Sequence, residues 1–288
     1  MSWKLEQARL HKAAELGETV AGVLGLEKPP IDPFAVIASE EGRIRAVGED
    51  FGDAFDGRLE YHGTCFLLFF NTKYDGWRHD GEHHPKVRFT IGHELGHYFL
   101  EKHRSFLMQG GGSHGSMTEF SSSRNVEREA DFFSTGLLMP RFLLRRTVNA
   151  TAPKLAAVRA ARDDFQVSLT STMIRWVELC DFPCAVVSCR EGRVEWGFTS
   201  PGFKQAGGWR VRRGEGLGSR HAQEFFDEDT TLQEYREGEG WSVADRWIEL
   251  ERRGVEVHED YLVVPSTQQM LVFLTASEDD LDSNADWD

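Results

Sequence analysis

The chain has 288 residues, of which 40% are hydrophobic and 28% charged, an ordinary composition for a globular protein. A chain of this length predicts two or three folded units. The formal net charge of −14 argues against a protein that coats nucleic acid, and there is no run of about 18 apolar residues to predict a membrane-spanning helix.

The N-terminal segment and the cysteines both indicate the compartment. MSWKLEQARLHKAAEL lacks the apolar stretch and the small-residue cleavage site of a signal peptide. The four cysteines form neither a disulfide framework nor a C-x-x-C zinc pattern, which favours reduced and mostly buried thiols at Cys65, Cys180, Cys184 and Cys189. We therefore expect a cytoplasmic protein.

The first half of the chain alternates between helices and short strands. A first helix is predicted over residues 1 to about 27, where the prolines of EKPPIDPF end it, and FAVIASEEG predicts a short second helix. Turn residues then bound three predicted strands, RIRAVG, GRLEYHG and TCFLLFFN. A helix is predicted from about Val87 to His103. The glycine- and serine-rich SFLMQGGGSHGSMTEFSSSR predicts a mobile loop, and NVEREADFFSTGLLM a helix that stops at Pro140.

The second half divides into a helical part and a strand-rich part. From Arg141 to Cys180 the pattern is helical, with two helices joined at DDFQVS. Strands are then predicted at CAVVSC, RVEWGF, EVHEDYLVVP and MLVFLTA, without a second cluster of catalytic residue types. We predict an α+β protein with a first domain at 1–140, a helical helix-turn-helix-like segment at 141–182, a mostly β or α/β domain at 183–276 and an acidic disordered tail at 277–288.

The motif HELGH lies inside the predicted helix from Val87. Four residues turn an α-helix by about 400°, so His93 and His97 share a face where one zinc ion could bind both. Glu94 lies about 100° away, where it could take a proton from a zinc-bound water and pass it to a leaving amine. A coincidental helix with surface histidines is the alternative, but the flanking apolar residues indicate a buried helix.

A catalytic zinc needs a third protein ligand, which the helix NVEREADFFSTGLLM can supply. Glu127 and Asp131 are four residues apart and share a face, whereas Glu129 lies about 200° away from Glu127. We assign Glu127 as the third ligand and Asp131 as the acceptor of a ligating histidine's spare ring N–H. The alternative is a solvated acidic face. The remaining histidines and Tyr98 are not assigned a catalytic role.

These motifs together resemble the ImmA/IrrE family of metallo-endopeptidases. RFTIGHELGHYFL, followed about thirty residues later by EREADFFSTGLLMP, is similar to the family pattern, and the resemblance covers roughly residues 1 to 180. The sequence departs from the pattern at Asp131, where Asn is usual, and at Ser134, where Ala is usual. The residues that fit are Asn71, Arg88, Phe89, Thr90, His93, Glu94, His97, Glu127, Glu129, Ala130, Phe132, Leu137, Leu138, Met139 and Pro140.

The resemblance implies a zincin-like, gluzincin-like endopeptidase domain with one zinc ion per chain. It implies a helix-turn-helix transcriptional repressor as the protein substrate, and hence a role in stress response and transcription regulation. The IrrE-type layout adds a GAF-like C-terminal domain that could bind a small-molecule or signal ligand. From the residues alone we expect a zinc-dependent hydrolase of peptides, although manganese or iron also suits two nitrogens and a carboxylate.

The alternative is a DNA-binding transcription regulator with a structural zinc site. DDFQVSLTSTMIRW resembles the turn and second helix of a helix-turn-helix in a locally basic stretch. The net charge and the presence of Glu94 beside the histidines disfavour it, because a structural site needs no base. We expect no direct binding to nucleic acid and none to membranes.

Overall fold

Residues 3–76, 82–110, 114–116 and 125–277 are described in a computed structural model of the protein. The chain divides into two units, Met1–Leu144 with Arg162–Ser168, and Arg145–Ala161 with Leu169–Asp288. Within the described residues, no helix is both long and apolar enough to cross a membrane. The predicted α+β class is confirmed. The predicted acidic tail, 277–288, lies outside the described residues except for its first residue.

A four-stranded mixed sheet forms part of the first unit. Its strands are β1 (Ile44–Glu49), β2 (Gly57–Tyr61), β3 (Phe66–Asn71) and β4 (His114–Ser116), in the order β1-β3-β2-β4. β3 is parallel to β1 and antiparallel to β2, and β4 pairs antiparallel with β2. The three predicted strands are present, and the apolar FLLFF lies in an interior strand, as expected for a continuous hydrophobic run.

The helices of this unit are α1 (Trp3–Val23), α2 (Pro33–Ser39), α3 (Pro85–Phe99), α4 (Glu101–Met108) and α5 (Asn125–Leu138). α3 begins at a proline, which is tolerated in the first turn, and the ring of His84 accepts a hydrogen bond from the Lys86 amide. The predicted single helix to His103 is wrong. Leu100 is extended (φ −73°, ψ 107°), so α3 ends before it and α4 begins after it.

Part of the predicted mobile loop is regular structure. α4 extends to Met108, and a short strand, β4, occupies residues 114–116. Residues 111–113 and 117–124 of that loop lie outside the described residues.

α5 packs closely against both α1 and α3 because small residues line the contacts. A Cβ added at Gly136 would overlap the carbonyl oxygen of Ala14 on α1. A Cβ added at Gly96 would lie 3.0 Å from the Cα of Ala130. Only glycine allows backbones to approach this closely. The close packing fixes the position of α5 relative to the histidine motif on α3.

Three further helices follow, α6 (Arg141–Val148), α7 (Leu155–Phe165) and α8 (Leu169–Leu179). The predicted pair of helices joined at DDFQVS is present as α7 and α8. Gln166 in that turn has a φ of 51°, a left-handed conformation that ends α7.

The second unit contains a five-stranded antiparallel sheet. Its strands are β5 (Cys184–Arg190), β6 (Arg193–Thr199), β8 (Glu237–Val243), β10 (Glu256–Val264) and β11 (Gln269–Thr275), in the order β6-β5-β11-β10-β8. β7 (Arg210–Val211) and β9 (Ile248–Glu249) form a small separate pair, and the helices of this unit include, besides α8, α9 (Pro201–Gln205) and α10 (Arg220–Asp227). All four predicted strands are present, whereas β7, β8, β9, α9 and α10 were not predicted. The GAF-like assignment stays a prediction.

Candidate metal centre

The two histidines of the HELGH motif converge on one side of α3. The Nε2 atoms of His93 and His97 lie 3.1 Å apart, and both rings are buried. The spacing of four residues produces this geometry, since it places the second ring one turn above the first. Two ring nitrogens at this separation suit a shared metal ion that requires both lone pairs.

Glu127, in the first turn of α5, completes the group. Its Oε2 lies 3.3 Å from Nε2 of His93 and 3.8 Å from Nε2 of His97. The three candidate ligand atoms lie within 4.8 Å of one another. Two imidazole nitrogens and one carboxylate oxygen form the donor set that catalytic zinc sites use, so the residues present fit a zinc ion.

Asp131 forms a hydrogen bond with Nδ1 of His93, the ring nitrogen that is not a candidate metal ligand. Its Oδ1 lies 2.8 Å from His93 Nδ1, and both side chains are 2% exposed. Burial lowers the pKa of His93, but the hydrogen bonds to Asp131 and Glu127 outweigh it and raise that pKa to about 10. The same contacts with His93 and His97 hold the pKa of Glu127 well below its usual range. The two carboxylates therefore favour a protonated, positively charged His93 in the metal-free protein.

The outer ring nitrogen of His97, Nδ1, lies against His103, a residue that was assigned no role from the sequence pattern. Nδ1 of His97 lies 3.1 Å from Nδ1 of His103, and Nε2 of His103 lies 3.2 Å from Oε2 of Glu129. His103 and Glu129 are both buried. Burial, with the neighbouring His97, lowers the pKa of His103 to about 4, so its ring is neutral at physiological pH.

Sequence reasoning missed His103 because it assumed a continuous helix. Six residues along one helix place two side chains about 240° apart, so His103 would face away from His97. Leu100 interrupts the helix between the two residues, and the ring centroids of His97 and His103 lie 5.1 Å apart. Glu129 does point away from Glu127, as predicted, but it reaches the back of the site through His103.

Glu94 lies against the start of β2. Its side chain is buried, and a Cβ added at Gly57 would lie 2.7 Å from its Oε1. The carboxylate is close enough to His93 to contribute to that residue's raised pKa. Because Gly57 has no side chain, the carboxylate of Glu94 has room beside the candidate ligands.

Ser134, where the family pattern usually has alanine, forms a hydrogen bond between two helices. Ser134 on α5 donates its hydroxyl hydrogen to the carbonyl oxygen of Phe89 on α3, at 2.9 Å. A Cβ added at Gly92 would overlap this hydroxyl. The serine therefore ties the two metal-site helices together without facing the candidate ligands.

Two other motif residues hold the surrounding backbone. The side-chain amide of Asn71, at the end of β3, donates to the carbonyl oxygens of Gly52 and Phe55, each at 2.8 Å. The guanidinium of Arg88 donates to the carbonyl oxygen of Ile31 at 2.5 Å. These residues shape the loops beside the sheet and α3.

A second group of possible ligands lies in the second unit, where the sequence predicted no cluster. Nε2 of His258 is 3.5 Å from Oε2 of Glu239, and its Nδ1 is 3.6 Å from Oδ2 of Asp260. Glu239 and Asp260 face each other directly across β8 and β10. The Glu239 side chain is 79% exposed, and exposed acidic groups of this kind are common without a metal ion.

Comparisons with known proteins agree with this geometry. Residues 79–176 match the family model Peptidase_M78, the IrrE N-terminal-like domain. No curated protein matches the chain. One similar solved structure is a Mycobacterium tuberculosis transcriptional regulator, 13% identical, with a TM-score of 0.55 over 94% of this chain and 77% of that chain. At this identity the likeness concerns the fold alone. The matched segment, residues 79–176, includes the histidine motif, Glu127 and Asp131, so this part of the chain is similar to the IrrE N-terminal-like domain, and the resemblance found in the sequence is confirmed.

Proposed function

We propose that the chain is a zinc-dependent endopeptidase that cleaves a specific protein. The convergence of His93, His97 and Glu127 beside a buried Glu94 carries this proposal. The match to a peptidase family over the same residues supports it. A purely structural site would have no use for a carboxylate held next to the ligands.

Each residue of the site has a distinct task in peptide hydrolysis. A zinc ion held by His93, His97 and Glu127 would polarise the scissile carbonyl and make water acidic enough to attack at neutral pH. Glu94 would accept a proton from the attacking water as the new C–O bond forms, and return it to the leaving amine as the C–N bond breaks. Asp131 keeps the His93 proton on Nδ1, so that Nε2 faces the ligand position.

The substrate class that we propose is a helix-turn-helix transcriptional repressor. The family resemblance supports it, and the regulator name of the similar Mycobacterium tuberculosis structure is compatible with it. The net charge of −14 would also favour encounter with a basic, DNA-binding protein. Within this proposal, residues 183–276 serve recognition or regulation, through a small-molecule ligand or signal, and the protein acts in the cytoplasm.

The DNA-binding alternative draws on the tight turn between α7 and α8. A recognition helix must expose side chains that reach the base edges of the major groove. In α8, however, every residue from Ser171 to Val177 is buried, including Arg175 at 1% exposure. The burial of this helix therefore disfavours direct binding to DNA.

The test compares the zinc-loaded wild type with Glu94→Gln in a cell lysate, followed by mass spectrometry of new protein termini. We expect one helix-turn-helix protein to acquire a new terminus with the wild type alone, and to be captured uncut by Glu94→Gln. If no terminus depends on Glu94, the chain is not a peptidase. A wild-type-specific cut in another class of protein would keep the peptidase and refute the repressor substrate.

A further inference from the structure

We propose that Arg9, Glu129 and His103 form a chain of positioning residues that holds His97 and makes metal binding depend on the N-terminal helix. This inference rests on the metal site of the proposed function, but not on peptide cleavage. The chain joins four helices, since its members and His97 lie on α1, α5, α4 and α3. Arg9 lies outside residues 79–176, which match the family model.

The contacts run continuously from His97 through His103 and Glu129 to Arg9. Behind the candidate metal position, His97 Nδ1 faces His103 Nδ1 at 3.1 Å. His103 Nε2 faces Oε2 of Glu129 at 3.2 Å. The other carboxylate oxygen of Glu129 lies 2.5 Å from Nη2 of Arg9. His103 and Glu129 therefore each use one polar atom for the preceding residue of the series and the other for the next residue.

One arrangement of protons satisfies all of these contacts when a metal binds. A neutral His97 that binds metal through Nε2 carries its proton on Nδ1. That proton can be donated to His103 only if Nδ1 of His103 is unprotonated. The proton of His103 is then on Nε2, where it is donated to Glu129. The assignment follows from the hydrogen-bond network.

Arg9 completes the chain because Glu129 is buried. A buried carboxylate without a cation is costly, and it escapes that cost by rotating toward water. This rotation removes the hydrogen-bond acceptor of His103 and leaves the His103 ring, which orients His97, less firmly held. His93 needs no such relay, since it meets the carboxylate of Asp131 directly.

A second ion pair across the same two helices provides a matched control. Glu6 lies three residues before Arg9 on α1 and pairs with Arg128, which precedes Glu129 on α5. Glu6→Gln therefore removes an α1–α5 ion pair without touching a histidine. Arg9→Gln also removes an ion pair between α1 and α5, but this pair supplies the positive charge beside Glu129.

The experiment measures zinc affinity of the full-length, metal-free protein by competition with a chromophoric chelator. Arg9→Gln, Glu129→Gln and His103→Leu should each weaken zinc binding about 10–100-fold, the usual effect of losing such outer partners. His103→Gln should bind zinc more tightly than His103→Leu, since an amide can both accept and donate a hydrogen bond. Glu6→Gln should leave the affinity unchanged, while lowering the melting temperature of the metal-free protein as much as Arg9→Gln does.

The double variant Arg9→Gln/His103→Leu decides whether the residues act in sequence. If they form one chain, it should bind zinc no more weakly than His103→Leu alone. Additive losses, or equal zinc affinity in Arg9→Gln and Glu6→Gln, would overturn the proposal even if His103→Leu does not fold. A wild type that binds zinc but cuts no protein would refute the proposed function and leave this result intact.

Discussion

The Oδ1 atom of Asp131 lies 2.8 Å from the Nδ1 atom of His93, with both side chains almost fully buried. A carboxylate behind a metal-binding imidazole fixes its tautomer and its orientation. The usual family residue at this position is asparagine, whose side-chain oxygen could accept the same hydrogen bond. The aspartate adds a negative charge, which also stabilises a protonated His93 in the metal-free protein.

Substitutions of Asp131 should separate the hydrogen bond from the charge. Asp131→Ala removes both and should weaken zinc affinity about 10–100-fold. Asp131→Asn keeps an acceptor and should bind zinc more tightly than Asp131→Ala. Chelator competition measures both values, and circular dichroism checks that the variants are folded. Equal losses in the two variants would mean that the hydrogen bond to His93 does not orient the ring.

The ligand and base positions should respond differently to substitution. His93→Ala removes a candidate ligand and should abolish stoichiometric zinc binding, measured by elemental analysis after gel filtration. Glu94→Gln keeps the shape of the side chain but cannot accept the proton, so cleavage should fall by about 10²–10⁴-fold with zinc retained. Full zinc occupancy in His93→Ala, or near wild-type cleavage by Glu94→Gln, would refute the corresponding assignment.

The position of Glu94 should depend on the glycine opposite it. In Gly57→Ala the new methyl group would lie 2.4 Å from Thr90 Cγ2 and 2.7 Å from Glu94 Oε1, so both side chains, the carboxylate included, must shift. A displacement of about 1 Å can reduce catalysis by about 10²-fold, and we expect a loss of that order in kcat with zinc affinity retained. Gly216→Ala is the control, because a Cβ there meets no atom within 4 Å. Equal activity of the two variants would show that Gly57 does not position the base.

The candidate ligands could be predicted because helical periodicity alone relates them. His93 and His97, like Glu127 and Asp131, are pairs spaced by four residues, and the structure places the two pairs together. The local strand patterns were equally readable, since β3 is a continuous apolar run between turn residues.

His103 and Gly57 could not be predicted because their roles depend on tertiary structure. His103 contacts His97 only because the chain breaks at Leu100, a residue that carries no helix-ending signal. The role of Gly57 depends on which residue of β2 lies opposite α3. In the second unit, β8 was missed because GEG within it reads as a turn rather than a strand.

Zinc binding should release a proton from His93. The hydrogen bonds to carboxylates raise the pKa of this histidine to about 10 in the metal-free protein, above an ordinary value of about 6.5. The proton therefore stabilises the metal-free fold fully below about pH 6.5, and this contribution is lost as the pH rises through about 10. Since zinc requires an unprotonated Nε2, the apparent zinc affinity should rise about tenfold per pH unit across neutral pH.

Calorimetry in two buffers with different ionisation enthalpies measures this proton directly. At about pH 7 we expect about one proton released per zinc ion, because Glu127 is already ionised and contributes none. Asp131→Asn removes a charge that favours protonated His93, so its pKa should fall and the proton release at about pH 8 should decrease relative to the wild type. An affinity independent of pH between about 6 and about 8 would contradict the assignment, because His93 would then already be neutral before zinc arrives.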